Sequence, residues 1–248
     1  MEHVIERAVN TIRERYFEPL SLDELAQSAM VSKFHFLRTF RRITGVTPGR
    51  FLSAVRLEEA KRLLLATSLN VSDISAQVGY SSTGSFTRRF TESVGCSPTQ
   101  YRHLGDRGRG EAAEPGGAAG SRTGSISGAA CAAGVGVSAV YVGLFDSPIL
   151  ERCPAVRAII TEPGPFRLTG VPDGTWYIHA VAHGAFPDDA SCPGQQMLVA
   201  TAGPVTTGPG SSLHLDLTLH PLHWSHPPVL LALPDLALPD LAEPALAA

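Results

Sequence analysis

Ser32-Lys-Phe-His-Phe-Leu-Arg-Thr-Phe-Arg-Arg-Ile-Thr-Gly45 and Ser82-Thr-Gly-Ser-Phe-Thr-Arg-Arg-Phe-Thr-Glu-Ser-Val-Gly95 are two versions of one pattern, fifty residues apart. Phe36, Arg38, Phe40, Gly45, Pro48 and Phe51 of the first recur as Phe86, Arg88, Phe90, Gly95, Pro98 and Tyr101 of the second. Each stretch opens on a serine suited to cap a helix and closes on a glycine suited to end one. Two phenylalanines four apart supply an apolar stripe between those ends. Upstream, Leu22/Leu25 match Val71/Ile74 at an offset of 49, so the second copy gains one residue in its turn. The unit that repeats is therefore a short helix, a turn and a longer helix, twice.

Working outward, Val4, Ile5, Ala8, Ile12 and Tyr16 fall at helical spacing before Pro19, which predicts a leading helix. Ser21 with Glu24 is a capping-box pair for a helix over residues 22–28, followed by a turn at Ala29-Met30-Val31. Thr47-Pro48 opens a long helix through Leu52, Val55, Ala60, Leu63 and Leu64 that joins the copies. The second copy has its short helix near 72–77, its turn at Val78-Gly79-Tyr80, its longer helix over 82–94 and a last turn at 98–102. Residues 1–104 thus read as an all-α double helix-turn-helix domain.

From 105 to 122 the composition turns to Gly, Ala, Arg, Glu and Pro without periodicity, as in a flexible linker. Beyond it the apolar period becomes two. Strand-like segments at 135–145, 156–161, 166–168, 176–182, 197–202 and 213–219 are separated by turn residues such as Val171-Pro-Asp-Gly. This predicts an all-β antiparallel sandwich over 123–222. Residues 223–248, with Ala-Leu-Pro-Asp-Leu repeated from Ala232 and Ala237, read as a Pro-rich, disordered or extended tail.

The net charge of −3 conceals an asymmetry. Residues 1–104 hold 14 Lys+Arg against 10 Asp+Glu; residues 105–248 hold 6 against 13 and no lysine. A basic half joined to an acidic one fits nucleic-acid contact at one end. The N-terminus has no apolar signal-peptide core. The uncharged stretch Thr123–Phe145 is rich in Gly, Ala and Ser and then alternates, which argues against a membrane span. The cysteines Cys96, Cys131, Cys153 and Cys192 match no zinc pattern and read as free thiols of a cytoplasmic protein.

On the helix over 32–44, Phe36, Phe40 and Ile43 form the inward stripe. Phe34, Leu37, Arg38 and Arg41 lie opposite, with Lys33 near the N-terminus. An arginine there can donate bidentately to guanine, and Phe34 and Leu37 can pack on thymine methyls. A solvated face has little use for two large apolar groups. In the second copy Thr83, Thr87 and Arg88 face outward, and Gly84 permits close approach. Arg42 and Arg89, further round, suit phosphates.

Residues 15–102 resemble the DNA-binding domain of the AraC/XylS family of bacterial transcription regulators. The resemblance rests on Ser21-Leu-Asp-Glu-Leu-Ala, the stretch from Ser32 to Arg42, Thr44-Gly-Val-Thr-Pro and Arg56-Leu-Glu-Glu-Ala-Lys-Arg-Leu-Leu. It continues through Val78-Gly-Tyr-Ser-Ser, Phe86-Thr-Arg-Arg-Phe and Gly95-Cys-Ser-Pro-Thr-Gln-Tyr-Arg. It implies two helix-turn-helix units on one linking helix, with recognition helices in successive major grooves, one turn apart. Carried over by position, Phe34, Leu37 and Arg38 read bases in the first unit, and Thr83, Gly84, Thr87 and Arg88 in the second. Leu37 stands where the family often has a polar residue, Gly84 offers no side chain, and the reader precedes the second domain instead of following it.

Gly164-Pro-Phe-Arg-Leu-Thr-Gly-Val-Pro-Asp-Gly-Thr-Trp-Tyr-Ile-His-Ala-Val-Ala, with Gly124-Ser-Ile-Ser-Gly as an opening strand, resembles prealbumin-like, carboxypeptidase-regulatory-type sandwiches. That resemblance implies a binding or packing module without catalytic residues. His220, His223 and His226 sit on a proline-broken segment with no defined metal geometry. His179 and His183 share one strand face and read as solvated or core-edge residues. Gly134-Val-Gly-Val-Ser-Ala runs into a strand, which is wrong for a phosphate cradle. Cys96 has no activating base beside it.

The sequence therefore describes a non-enzymatic, DNA-binding transcription regulator with no cofactor, metal or membrane partner. Its expected partner is double-stranded DNA. A small-molecule effector and RNA polymerase are the further candidates for the sandwich. The rival reading, an enzyme or scaffold localised to DNA by its N-terminal module, calls for a His or Cys constellation that the sequence does not supply.

Overall fold

A computed structural model of the chain describes residues 2–106, 123–132, 136–185 and 195–231. The linker lies outside them from residue 107, as do Cys192, the Gly134 motif's first two residues and the pentapeptide repeats. Two compact units emerge. The first comprises Met1–Gly110 with Ser147–Cys153 and His223–Ala232; the second holds the strands.

The helical unit contains α1 (Glu2–Glu14), α2 (Leu22–Ser28), α3 (Lys33–Thr44), α4 (Pro48–Ala66), α5 (Val71–Gln77), α6 (Thr83–Val94) and α7 (Pro98–Asp106). The capping box of α2 is formed: the Glu24 amide donates to Ser21 Oγ at 3.1 Å and the Ser21 amide to Glu24 Oε2 at 2.8 Å. The Ser21 amide and, at 3.0 Å, the Ser21 hydroxyl donate to the ionised carboxylate and hold Glu24 below the usual carboxylate range. Ser32 and Ser82 cap α3 and α6, and Gly45 (φ 77°) and Gly95 (φ 92°) end them in the left-handed conformation. Each side of the repeat is thus punctuated as the sequence predicts.

Two apolar cores form around the two copies. Phe36, Phe40 and Phe51 pack with Ile5, Ile12 and Leu25; Phe86, Phe90 and Tyr101 pack with Leu57, Leu64 and Ile74. The aromatic rings repeat in space as well as in sequence. Phe36–Phe40 and Phe40–Phe51 centroids lie 5.7 and 5.8 Å apart, and Phe86–Phe90 and Phe90–Tyr101 centroids 5.6 and 5.8 Å apart. Truncating one such buried phenylalanine to alanine costs roughly 3–5 kcal/mol. Helix α4 contributes Phe51 and Val55 to the first core and Ala54, Leu57, Ala60, Leu63 and Leu64 to the second. At its middle, Arg56 donates from Nε to the Tyr16 carbonyl at 2.7 Å and from Nη2 to that of Glu18 at 2.9 Å. Its guanidinium also lies 5.6 Å from the Tyr80 ring centroid.

Residues 223–231 depart from expectation. The sequence reading puts them in a disordered or extended tail, yet Trp224 packs on the first core and Leu230 is part of the second. Lys61 Nζ on α4 donates to the carbonyls of Val229 at 3.1 Å and Leu231 at 3.0 Å. Burial pulls Lys61 down to about 8. The prolines forbid a helix but not packing, and Val229-Leu-Leu231 supplies the apolar surface. The second excursion, Ser147–Cys153, places Ile149 in the first core and pairs Glu151 with Arg50.

The second unit has β1 (Gly124–Ala132), β2 (Gly136–Phe145), β3 (Val156–Ile160), β4 (Gly164–Val171), β5 (Gly174–Ala185), β6 (Gln195–Thr207), β7 (Ser212–His214) and β8 (Leu217–Pro221). Their order is β3-β2-β5-β6-β8-β1-β4, with β7 also beside β1. Alternate residues such as Val140, Val142 and Leu144, or Ile178, Ala180 and Ala182, fill one core. The expected all-antiparallel arrangement needs correction at two ladders, because β1 runs parallel to both β7 and β8. Strand β8 pairs with β1 on one side and β6 on the other, joining what would be two layers into a nearly closed, barrel-like sheet. Alternation specifies which side chains point inward, not which neighbour a strand takes.

Candidate nucleic-acid interface

The two turns that set the angle of α3 and α6 have one hydrogen-bond pattern. The Val31 amide donates to Ala26 O at 3.2 Å and the Met30 amide to Gln27 O at 2.9 Å; in the second copy Tyr80 donates to Ser75 O at 2.9 Å and Gly79 to Ala76 O at 3.0 Å. Met30 (φ 53°) and Gly79 (φ 85°) occupy the same left-handed position. These closures satisfy the end carbonyls of α2 and α5 and leave the next helix projecting from the pair.

On α3 the buried face carries Phe36, Thr39 and Phe40, while Lys33, Phe34, Arg38, Arg41 and Arg42 are exposed. Phe34 is 82% exposed, far more than a phenylalanine with an internal role needs. Arg38, Arg41 and Arg42 make no hydrogen bond or ion pair among the described residues. Lys33 pairs with Asp23 of α2 at 2.9 Å; both are exposed, so the pair is weak and breaks readily for a stronger anion. Leu37 is only half-exposed. Two neighbours that the sequence reading passed over also stand at the surface: His35, and Met30 in the turn at 88% exposure. A large apolar residue in a turn whose second copy has glycine was the available signal for Met30.

On α6 the buried face carries Phe86, Phe90, Ser93 and Val94. Arg88 and Arg89 are exposed, and Arg88 Nη1 lies 3.5 Å from Glu92 Oε1 one turn along. Thr87 is half-exposed. Thr83 differs from its sequence-level role as a free outward group. Its hydroxyl donates to Ser72 Oγ at 3.1 Å and lies 3.3 Å from Ser75 Oγ, fastening α6 to α5. Gly84 is exposed, and a Cβ built on it would meet nothing within 4 Å. Nothing among the described residues requires glycine there.

The remaining sequence candidates belong to the second unit and to the His223–Ala232 segment of the first. His179 and His183 are buried, not solvated; His179 Nδ1 is 2.9 Å from Thr201 Oγ1, between Phe145 and Tyr177. His183 Nδ1 has no hydrogen-bond partner among the described residues, and burial pushes His183 down. His223 Nδ1 is 2.9 Å from Ser225 Oγ and the His223 amide donates to His226 Nδ1 at 3.1 Å, so these groups are turned toward their own segment. No metal-holding cluster occurs among the described residues, and no helix there is long and apolar enough to cross a membrane.

Two outward helices, each on a capped helix-turn-helix frame and repeated through fifty residues, coincide with a match of residues 25–103 to a helix-turn-helix family model. Residues 25–103 form an AraC-type helix-turn-helix domain. The chain is 40% identical over 89 residues to the HTH-type transcriptional activator AarP of Providencia stuartii, covering 36% of this chain and 65% of that protein. It is 33% identical over 99 residues to the lactose operon transcription activator of Staphylococcus xylosus, covering 40% and 36% respectively. It therefore spans between about a third and two thirds of the length of these curated relatives. Among solved structures, the C-terminal domain of AraT, a response regulator from Geobacillus stearothermophilus, is 28% identical with a TM-score of 0.40 and covers 45% of this chain. The AraC-type domain holds both outward helices and the whole of α4.

Proposed function

We propose that this chain is a sequence-specific transcription regulator whose AraC-type domain reads two major-groove segments of double-stranded DNA, with α3 in one and α6 in the next. The observation that carries the reading is the outer face of α3. Phe34 stands almost wholly in solvent beside Arg38, Arg41 and Arg42, none of them spent on an internal ion pair. A helix face with an exposed aromatic and three uncommitted guanidiniums suits base edges, thymine methyls and phosphates together. Phe34, Leu37 and Arg38 are assigned to bases in the first half-site, with Lys33, Arg41 and Arg42 toward phosphates. Gly84, Thr87 and Arg88 are assigned to the second, with Thr83 positioning α6 and Arg89 toward phosphate. The two relatives bear the names of transcription activators, which agrees with this role.

In this reading the chain performs no catalysis and works in the cytoplasm, and its sheet unit senses a small molecule or contacts protein. Selecting bound fragments from a random DNA pool tests it. The expected product is a non-palindromic site with two unlike half-sites about one helical turn apart. Recovery of unrelated sequences, with binding that depends only on salt, would refute sequence reading.

A further inference from the structure

The end of α6 is covered in a way that the end of α3 is not. Gly45 has open space around it, whereas a Cβ on Gly95 would lie 2.8 Å from the Cys153 sulfur and 3.8 Å from the Cys153 amide nitrogen. The connection Ser147–Cys153 therefore rests its last residue directly on the glycine that terminates the second recognition helix. It is anchored there by the Arg152 amide, which donates to the Ser93 carbonyl at 2.6 Å, with Arg152 in the left-handed conformation at φ 68°. The next residue after Gly95 is Cys96, half-buried at the edge of the second core. In the first copy the same position is Val46, fully within its core.

We propose that Cys96 and Cys153 are a redox pair that closes reversibly into a disulfide, tying the β2–β3 connection to the C-terminal end of α6. Neighbouring Cα atoms are about 3.8 Å apart, so the Cys153 sulfur, seated against residue 95, lies one residue step from Cys96, and the connection must shift to bring the two sulfurs to bonding distance. Burial pushes the Cys96 thiol up, and after it the charge of an ionised Cys153 does the same. Cys153 is exposed and Cys96 is not, which sets the order of events. A hydroperoxide is the oxidant. The Cys153 thiolate attacks one peroxide oxygen, the O–O bond breaks, and the other oxygen leaves and takes a proton as alcohol or water. The Cys96 thiolate then attacks the resulting sulfenic sulfur, forming S–S, while the S–O bond breaks and hydroxide leaves to be protonated. Two thiols are oxidised, the peroxide is reduced by the same two electrons, and a dithiol reductant reverses the bond.

The test treats the reduced full chain with equimolar hydrogen peroxide, blocks remaining thiols and maps peptides without reduction. Four free thiols should fall to two, with one linked pair of peptides containing Cys96 and Cys153, and dithiothreitol should restore four. Cys153→Ser and Cys96→Ser should each abolish that link, while Cys131→Ser leaves it intact. The link should form more slowly in denaturant, since folding brings the pair together. Linkage through Cys131 or Cys192 instead, oxidation without any link, or an unchanged rate in denaturant would overturn the proposal. Circular dichroism of the serine variants separates loss of the link from loss of the fold.

Discussion

The two helix-turn-helix copies share an interior and differ in their outer faces. Inside, the same ring triad, the same caps and the same turn closures recur within a few tenths of an ångström. Outside, α3 carries Lys33, Arg38, Arg41 and Arg42 with no acid, while α6 carries Arg88 and Arg89 with Glu92 against the first of them. The position of Arg42 in the first copy is that of Glu92 in the second. Packing constrains the interior of each copy because a misplaced methylene is costly there. Whatever the helices touch sets the outside, and here it has set the two differently. Under the proposed function the first copy is expected to supply the larger share of salt-dependent attraction to the DNA backbone.

The sharpest way to break the equivalence is at the turn. Gly79 has φ 85°, and its Cβ would stand 2.7 Å from the Phe17 carbonyl oxygen. Gly79→Ala should therefore lower stability by roughly 2–4 kcal/mol, combining left-handed strain with overpacking, as read by urea unfolding. A loss under 0.5 kcal/mol would mean that the second turn is as open as the first. The next largest effects concern DNA. Arg38→Ala and Arg88→Ala should each cost roughly 1–3 kcal/mol of binding and relax preference at one base position in their own half-site. Arg88→Ala also unmasks Glu92, so Glu92→Gln in that background should recover part of the loss; equal losses on all sequences would assign both arginines to phosphate alone. Met30 adopts the same left-handed turn with a side chain, so Met30→Gly should stabilise the first copy by roughly 0.5–1 kcal/mol. The smallest effect is the most diagnostic. Gly84→Ala adds a methyl into open space and should stabilise the fold by about 0.5 kcal/mol or leave it unchanged, yet weaken DNA binding. If affinity is untouched, the second helix does not need close approach at that point.

The helical unit was legible because its signals are local. Ser32, Ser82, Gly45 and Gly95 mark helix ends within a few residues of the groups they satisfy, and the fifty-residue offset places both aromatic cores. The sheet was legible only in part. The segment 213–219, which reads as one strand, breaks between β7 and β8 at Leu215-Asp216, where Asp216 Oδ1 accepts the Ala129 amide at 2.8 Å. That partner is remote in sequence, so no local pattern announces it. His179 and His183 were correctly placed on one strand face, but alternation does not say whether that face is covered. In the site itself Phe34 and the arginines stand as the helical period predicts. Thr83 does not, because its contact with Ser72 and Ser75 is made between helices, and hydroxyls of that kind look identical in sequence whether free or bound.

Under the proposed function, Arg56 has a consequence for the DNA target as well as for the protein. By gripping the carbonyls of Tyr16 and Glu18 from the middle of α4, while the turn at Gly79 sits against Phe17, it makes the two copies jaws of a fixed-gauge caliper. Each base pair inserted between half-sites advances the second by about 3.4 Å and turns it by roughly a tenth of a revolution about the DNA axis. Two modules on a slack tether would follow that displacement. A caliper cannot, so a single inserted base pair should release one jaw and leave the other holding alone.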